Sequence, residues 1–307
     1  MTTPLLEVSD LAVNYGDVQV VWKADLTVAE GSVVALIGSN GAGKTTTIRM
    51  ITNIIFPDKG NILIKNEKAG PLHQNIIAYL PEERGLYKKL KVIEQLIYFA
   101  QLKGISKHDA IDRAKYWLVK MGAAGWENKK IQELSKGMQQ KVQFISTMLH
   151  DPEIVILDEP FSGFDPINTE LLKSIIIEMK NAGKTIILST HVMEQVEQMC
   201  DDIILINKGK AVLSGDVRNI KKSYGKDTIL VEFDGDDSFI DDIPNTRILS
   251  RTQNRVEFKL ENSSLSTKDI LSIIMNKAEI FNFAKVEPSL HEIFIEVVAN
   301  ENMKKEN

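Results

Sequence analysis

The chain has 307 residues, 43% of them hydrophobic and 26% charged, a globular balance that excludes disordered, collagen-like and coiled-coil classes. At roughly 150 residues per domain it suggests two domains, with enough chain to bury a core without disulfides or a structural metal. Thirty-seven Lys and Arg against 42 Asp and Glu leave a net charge of −5, which offers no basic field to a nucleic-acid backbone, so no nucleic-acid partner is expected.

The start, Met-Thr-Thr-Pro-Leu-Leu-Glu, lacks the basic region and apolar stretch of a secretory signal. Leu6, Val8, Leu11 and Val13, then Val18, Val20, Leu26 and Val28, alternate with polar residues around a Gly16-Asp17 turn, which predicts antiparallel strands. The apolar run Val33-Val34-Ala35-Leu36-Ile37 enters a glycine-rich loop, and Thr46 to Ile54 follows as helix before Pro57 and Gly60. Ile76 to Leu80, Ile154 to Leu157, Thr185 to Ser189 and Ile203 to Ile206 are short apolar runs of the kind found inside parallel sheets, and are expected to form one sheet. Between them lies a helical insertion, about 84–150, where Val92, Leu96, Phe99 and Ala100, then Ala114, Leu118 and Met121, recur at helical spacing. The pattern restarts near Gly225. Strand-like Thr228 to Phe233 and Arg255 to Leu260, helix-like Thr267 to Lys277 and a last helix with Leu290, Ile293, Phe294, Val297 and Val298 on one face predict a small α+β domain. The expected layout is a first domain over 1–222, a small accessory domain over 223–299 and a flexible tail over 300–307.

Other features carry little chemistry. A lone cysteine, Cys200, excludes an intrachain disulfide, and the five histidines show no paired metal spacing. His291-Glu292 opens like a zinc-protease motif, but Ile295 stands where the second histidine belongs. The acidic stretch Asp234 to Asp242 lacks the spacing of a calcium loop and is expected to be a solvated loop. No segment approaches the roughly 20 apolar residues of a membrane-spanning helix, so no direct membrane insertion is expected.

The strongest motif is Gly38-Ser39-Asn40-Gly41-Ala42-Gly43-Lys44-Thr45, followed by Thr46, set between an expected strand and an expected helix. Glycines let backbone N–H groups converge on a polyphosphate, and the helix N-terminus adds favourable partial charge. In this pattern Lys44 neutralises the terminal phosphates and the Thr45 hydroxyl ligates magnesium. The run Ile154-Val155-Ile156-Leu157-Asp158-Glu159-Pro160 supplies a second anchor. Asp158 is an oxygen ligand suited to Mg²⁺, and Glu159, one step on and expected on the other side of the strand, is placed to orient or deprotonate an attacking water.

With these residues in hand, positions 5 to 220 resemble the nucleotide-binding subunits of ATP-binding cassette (ABC) transporters. Tyr15, in Asn14-Tyr15-Gly16, matches the aromatic residue that stacks on adenine in that family. Leu134-Ser135-Lys136-Gly137-Met138-Gln139 lies at the signature motif, Ser162-Gly163-Phe164-Asp165 matches the loop after the two-acid strand, and His191 matches the switch histidine. Alone, a Tyr beside a turn packs, a Ser before a helix caps it and a His after a strand caps the next helix. In the family's order they describe one composite site. Two departures stand out. Glu82, in Pro81-Glu82-Glu83, occupies the place of the family's usual Gln; a carboxylate there can still meet magnesium, directly or through water, and its extra negative charge is expected to alter how the site senses γ-phosphate. The signature has Lys136 where Gly is common and Met138 where Gln is common. Both departures resemble the ATPase subunits of ABC-2-type exporters for sodium and drugs.

The resemblance implies a phosphate-loop α/β ATPase core with an N-terminal antiparallel β subdomain, a helical insertion and the small C-terminal α+β domain. It implies ATP and Mg²⁺ as cofactors, with Lys44, Glu159 and His191 catalytic. It also implies a homodimer in which Ser135, Gly137 and the start of the helix after them in one copy meet ATP held by the other, with Asp165 among the nucleotide-binding residues. The further partner is a separate transmembrane permease, which docks on the insertion near Glu82 to Leu102 and holds the ATPase at the cytoplasmic face of the membrane. The alternatives are a soluble ABC-type ATPase serving a non-transport machine and a regulator that binds nucleotide without hydrolysing it.

Overall fold

The computed structural model describes residues 4–83, 85–225, 228–260 and 265–306. The alternation at the N-terminus becomes β1 (Pro4–Tyr15) and β2 (Val18–Ala29), an antiparallel pair joined at the Gly16-Asp17 turn. The continuous apolar run becomes β3 (Val33–Ile37), buried at every position, and α1 (Lys44–Ile51) follows it. β4 (Lys59–Ile64) and β5 (Glu67–Lys68) add to the first pair, giving a sheet in the order β2-β1-β4-β5.

After β6 (Ile77–Leu80) comes the helical insertion: α2 (Val92–Leu102), α3 (Lys107–Lys120) and α4 (Lys136–Met148). Local chemistry sets their starts. Ser106 accepts the Asp109 N–H at 3.1 Å and Ser135 accepts the Met138 N–H at 3.3 Å, as N-caps do. The chain then alternates strand and helix through β7 (Ile154–Asp158), α5 (Pro166–Asn181), β8 (Thr185–Thr190), α6 (Met193–Met199) and β9 (Asp202–Asn207), and β10 (Lys210–Asp216) returns antiparallel. The expected single sheet is present, in the order β10-β9-β3-β8-β7-β6, with β9, β3, β8, β7 and β6 parallel. One buried cluster joins Leu6, Val21 and Ile62 of the first sheet, Ile48 and Ile51 of α1, and Leu36, Ile156, Ile187 and Ile204 of the second. At about 25 cal/mol per Å² of apolar surface removed from water, this shared core is the main force holding the phosphate loop between the sheets.

The chain divides into two compact units, Met1–Val217 and Arg218–Asn307. The second opens with most of α7 (Val217–Tyr224) and forms an antiparallel sheet from β11 (Thr228–Gly235), β12 (Thr246–Thr252), β13 (Arg255–Leu260) and β14 (Ala278–Lys285), in the order β12-β13-β11-β14. α8 (Thr267–Met275) supplies Ile270 and Ile274 to a core built on Val231, Phe233, Phe239 and Phe258. Phe233 and Phe239 meet edge to face with ring centroids 4.9 Å apart.

Several expectations need correction. α1 stops at Ile51 rather than Ile54, because the Asn53 backbone turns to φ 57. The acidic stretch is a 3₁₀ turn, Asp237–Asp242, with Phe239 and Ile240 buried and Asp237 paired to Arg251. The segment expected as a tail from Asn300 continues α9 (Leu290–Glu306).

Candidate functional site

The phosphate loop is shaped by two glycines. A Cβ at Gly38 would stand 2.3 Å from the Ile206 carbonyl oxygen, so the loop passes β9 only without a side chain there. Gly43, at the N-cap of α1, has φ 107, a left-handed conformation that costs other residues on the order of 1–3 kcal/mol. Within this frame the Lys44 ammonium donates to the carbonyls of Gly38 at 2.8 Å and Ser39 at 3.2 Å. The side chain of Lys44 is 7% exposed and lies 3.9 Å from Glu159 Oε1. The loop thus wraps its own cation, and residues 40–46 line a cavity of about 380 Å³.

Parallel pairing of β7 with β8 brings the acids to the loop. Asp158 is fully buried at the end of β7. Its Oδ1 accepts the Thr45 hydroxyl at 3.2 Å and the Ser189 hydroxyl in a short bond, and the Tyr79 hydroxyl lies 3.5 Å from Oδ2. Burial, with the Asp158 charge second, pushes the Tyr79 phenol up to about 12, so it stays a donor. The donor set beside the loop, one buried carboxylate and one hydroxyl, consists of hard oxygens and fits Mg²⁺. Among the described residues, no group of three or more His, Cys, Asp or Glu gathers as an independent metal centre.

Glu159 is placed differently from its expected position. β7 ends at Asp158, so strand alternation no longer governs the next residue. Glu159 takes a left-handed φ of 47, held there as its N–H donates to the Ser189 carbonyl at 3.1 Å and lies 3.2 Å from the Ser189 hydroxyl. The turn carries its carboxylate into the same cavity as Lys44. There His191 Nδ1 stands 3.0 Å from Glu159 Oε1. An ionised carboxylate only accepts, so Nδ1 is the donor in this pair. Left-handed backbone at a non-glycine residue is stored strain, and such strain gathers at functional sites.

Glu82, on the loop after β6, lines this cavity with Glu159 and His191, and so do Val20 and Ser162. Of the expected site residues, Gly38, Ser39 and Asp158 stand behind this lining, and Tyr15, Ser135, Gly137 and Asp165 are also not on it. Tyr15 is exposed at the end of β1. Ser135 caps α4, and a Cβ on Gly137 would stand 3.2 Å from the Gly163 carbonyl oxygen. Asp165 caps α5, accepting the Asn168 N–H at 2.8 Å. Sequence reading gave no role to Ser189, Tyr79 or Val20. Ser189 had a signal, since it lies two residues before His191 at the end of a buried apolar run. Tyr79 and Val20 had none, because only strand pairing brings them to the site.

A second, largely apolar cleft of about 400 Å³ is lined by Ile54, Tyr79, Phe99, Leu102, Gln143 and His150, among others. No helix among the described residues is long and apolar enough to cross a membrane.

Comparison with known proteins agrees with this geometry. A family model described as ABC transporter matches residues 21–162, and one described as ATP-binding protein DrrA1-3-like, C-terminal domain, matches residues 215–298. The chain is 43% identical over 294 residues to the uncharacterized ABC transporter ATP-binding protein YhaQ of Bacillus subtilis (strain 168), covering 96% of this chain and 98% of the relative. It is 27% identical over 302 residues to the linearmycin resistance ATP-binding protein LnrL of the same organism, covering 95% and 97%. A solved structure of the ATP-binding subunit of an ABC transporter matches with a TM-score of 0.67 at 34% identity, over 72% of this chain and 93% of that one. With a relative matched almost end to end, and a phosphate loop, two acids and a histidine converging on one cavity, this chain belongs to the ATP-binding proteins of ABC transporters.

Proposed function

We propose that the protein hydrolyses ATP to drive an exporter of the ABC-2 type, as one of two identical ATPase subunits bound to a separate membrane permease. The observation that carries this reading is the meeting of Lys44, Thr45, Glu82, Glu159 and His191 at one cavity. Residues 40–46 hold the phosphates by backbone N–H groups, and Lys44 balances their charge. Thr45 and Asp158 would hold Mg²⁺, with Glu82 as a further oxygen ligand. When bound, the ion screens the phosphate charges. Glu159 accepts the proton of the attacking water, and His191, with Nδ1 3.0 Å from that carboxylate, holds it in place beside the phosphates.

Tyr15, Ser135, Gly137 and Asp165 lie outside the cavity lining of a single chain, and Ser135 and Asp165 are exposed. This supports a two-fold dimer in which Ser135 and Gly137 of one copy donate to the γ-phosphate held by the other, with Asp165 beside them, and Tyr15 stacks on adenine. Loss of the phosphate then removes the bridge, and the dimer reopens. The apolar cleft, with Ile54, Phe99 and Leu102 on its wall, supports docking of a permease segment against the insertion. Export as the direction is supported by the linearmycin resistance relative and by a Nod factor export ATP-binding protein of Cupriavidus metallidurans (strain ATCC 43123 / DSM 2839 / NBRC 102507 / CH34), 30% identical over 259 residues, 83% of this chain and 85% of the relative.

The test is Glu159→Gln. The variant is expected to keep ATP affinity, lose turnover by a factor on the order of 10² to 10⁴ and accumulate as an ATP-bound dimer in light scattering. Near-normal hydrolysis would remove Glu159 from its catalytic role.

A further inference from the structure

Gln143 lies on α4, two helical turns after Ser135, and is 3% exposed. Its side-chain amide nitrogen donates to the Pro81 carbonyl at 3.1 Å and to the Glu83 carbonyl at 3.0 Å. Two carbonyl oxygens can be met only by the NH₂ end of an amide, so the orientation of this side chain is fixed by its partners. Its Oε1 is buried and has no hydrogen-bond partner among the described residues. The two carbonyls that the amide grips belong to the residues immediately before and after Glu82, which lines the phosphate cavity. Gln143 itself lines the apolar cleft. One buried side chain therefore touches the cleft and brackets the backbone of a residue lining the phosphate cavity.

We propose that Gln143 is a positioning residue for Glu82: its amide clamps the backbone on both sides of Glu82 and thereby sets where that carboxylate stands in the phosphate cavity. This rests on reading that cavity as the ATP site. Glu82 is exposed and lies in a loop. Without the clamp its backbone keeps fewer restraints, and the carboxylate samples positions away from the phosphate loop. The burial of Gln143 excludes a surface role.

The experiment uses the full chain with Gln143→Met, which keeps the length and volume of the side chain and removes both donors. Hydrogen exchange of peptides spanning residues 79–86 is expected to rise about tenfold, with exchange in α4 unchanged. In ATPase kinetics, kcat is expected to fall roughly fivefold to tenfold with the KM for Mg-ATP changed by less than twofold. In a Glu82→Ala background, Gln143→Met is expected to cause no further loss of kcat. Unchanged exchange over residues 79–86, or an equal loss of kcat with and without Glu82, would overturn the proposal. Gln143→Leu serves as a second variant if the methionine protein does not fold. Absence of turnover in the wild-type chain would sink the ATPase reading alone, because the exchange measurement decides the clamp without it.

Discussion

Ser189 does more than its sequence position suggests. Its hydroxyl donates to Asp158 Oδ1, while its carbonyl accepts the N–H of Glu159 at 3.1 Å. The first bond satisfies a fully buried carboxylate, and the second holds the left-handed turn that brings Glu159 to the cavity. Hydrogen bonds to charged groups are worth about 1.5–3 kcal/mol, and a buried carboxylate deprived of one loses much of that. Ser189→Ala is accordingly expected to lower the free energy of unfolding by about 2 kcal/mol in urea titration and to slow ATP turnover about tenfold. Equal stability of variant and wild type would show that the hydroxyl carries no weight. Cys200, by contrast, has no place in the chemistry, since burial pushes its thiol well above the ordinary range.

At the level of elements, α4 links two regions. Its N-terminus presents Ser135, its middle grips the Glu82 loop through Gln143, and just beyond its end His150 lies against β6, with Nε2 3.2 Å from the Ile77 carbonyl. Burial, then the Lys103 charge, pushes His150 down to about 4. The sign follows. The unfolded chain takes up a proton near the ordinary value of about 6.5. Between there and the folded value the unfolded state holds more protons, so the contribution is full above about 6.5 and is lost as pH falls toward about 4. Because the ring is partly exposed, solvent screening leaves about 1–2 kcal/mol of this effect. Wild type is therefore expected to lose more thermal stability than His150→Gln between pH 7 and pH 4.5. Parallel pH profiles would show that His150 does not titrate across the transition.

On the scale of the whole molecule, the units Met1–Val217 and Arg218–Asn307 have separate cores. Every residue assigned to phosphate or metal binding lies in the first. A ligand stabilises only the structure that binds it, by about 2.7 kcal/mol at a hundredfold excess over Kd. Calorimetry of the full chain is expected to show two transitions, of which Mg-ATP raises only one. A single transition moved as a whole by nucleotide would mean that the two units unfold as one. The second unit matches the DrrA1-3-like C-terminal domain over residues 215–298.

The sequence alone determined what depends on local pattern. Glycine spacing marked the phosphate loop, continuous apolar runs marked β3, β7, β8 and β9, and the restart near Gly225 lay close to the division at Val217. These features were legible because periodicity and backbone freedom are properties of neighbouring residues. The edge strands β12 and β14 were not, since their positions are mostly exposed or half-buried and keep little alternation. Tertiary structure alone decided the rest. β8 lies between β3 and β7, so Ser189 reaches Asp158 and Glu159; the turn past β7, rather than strand alternation, aims Glu159; and α4 brings Gln143 to residues some sixty positions earlier in the chain. The reason is physical: such contacts follow from the order in which strands pair and helices pack, and no local window of sequence contains both partners.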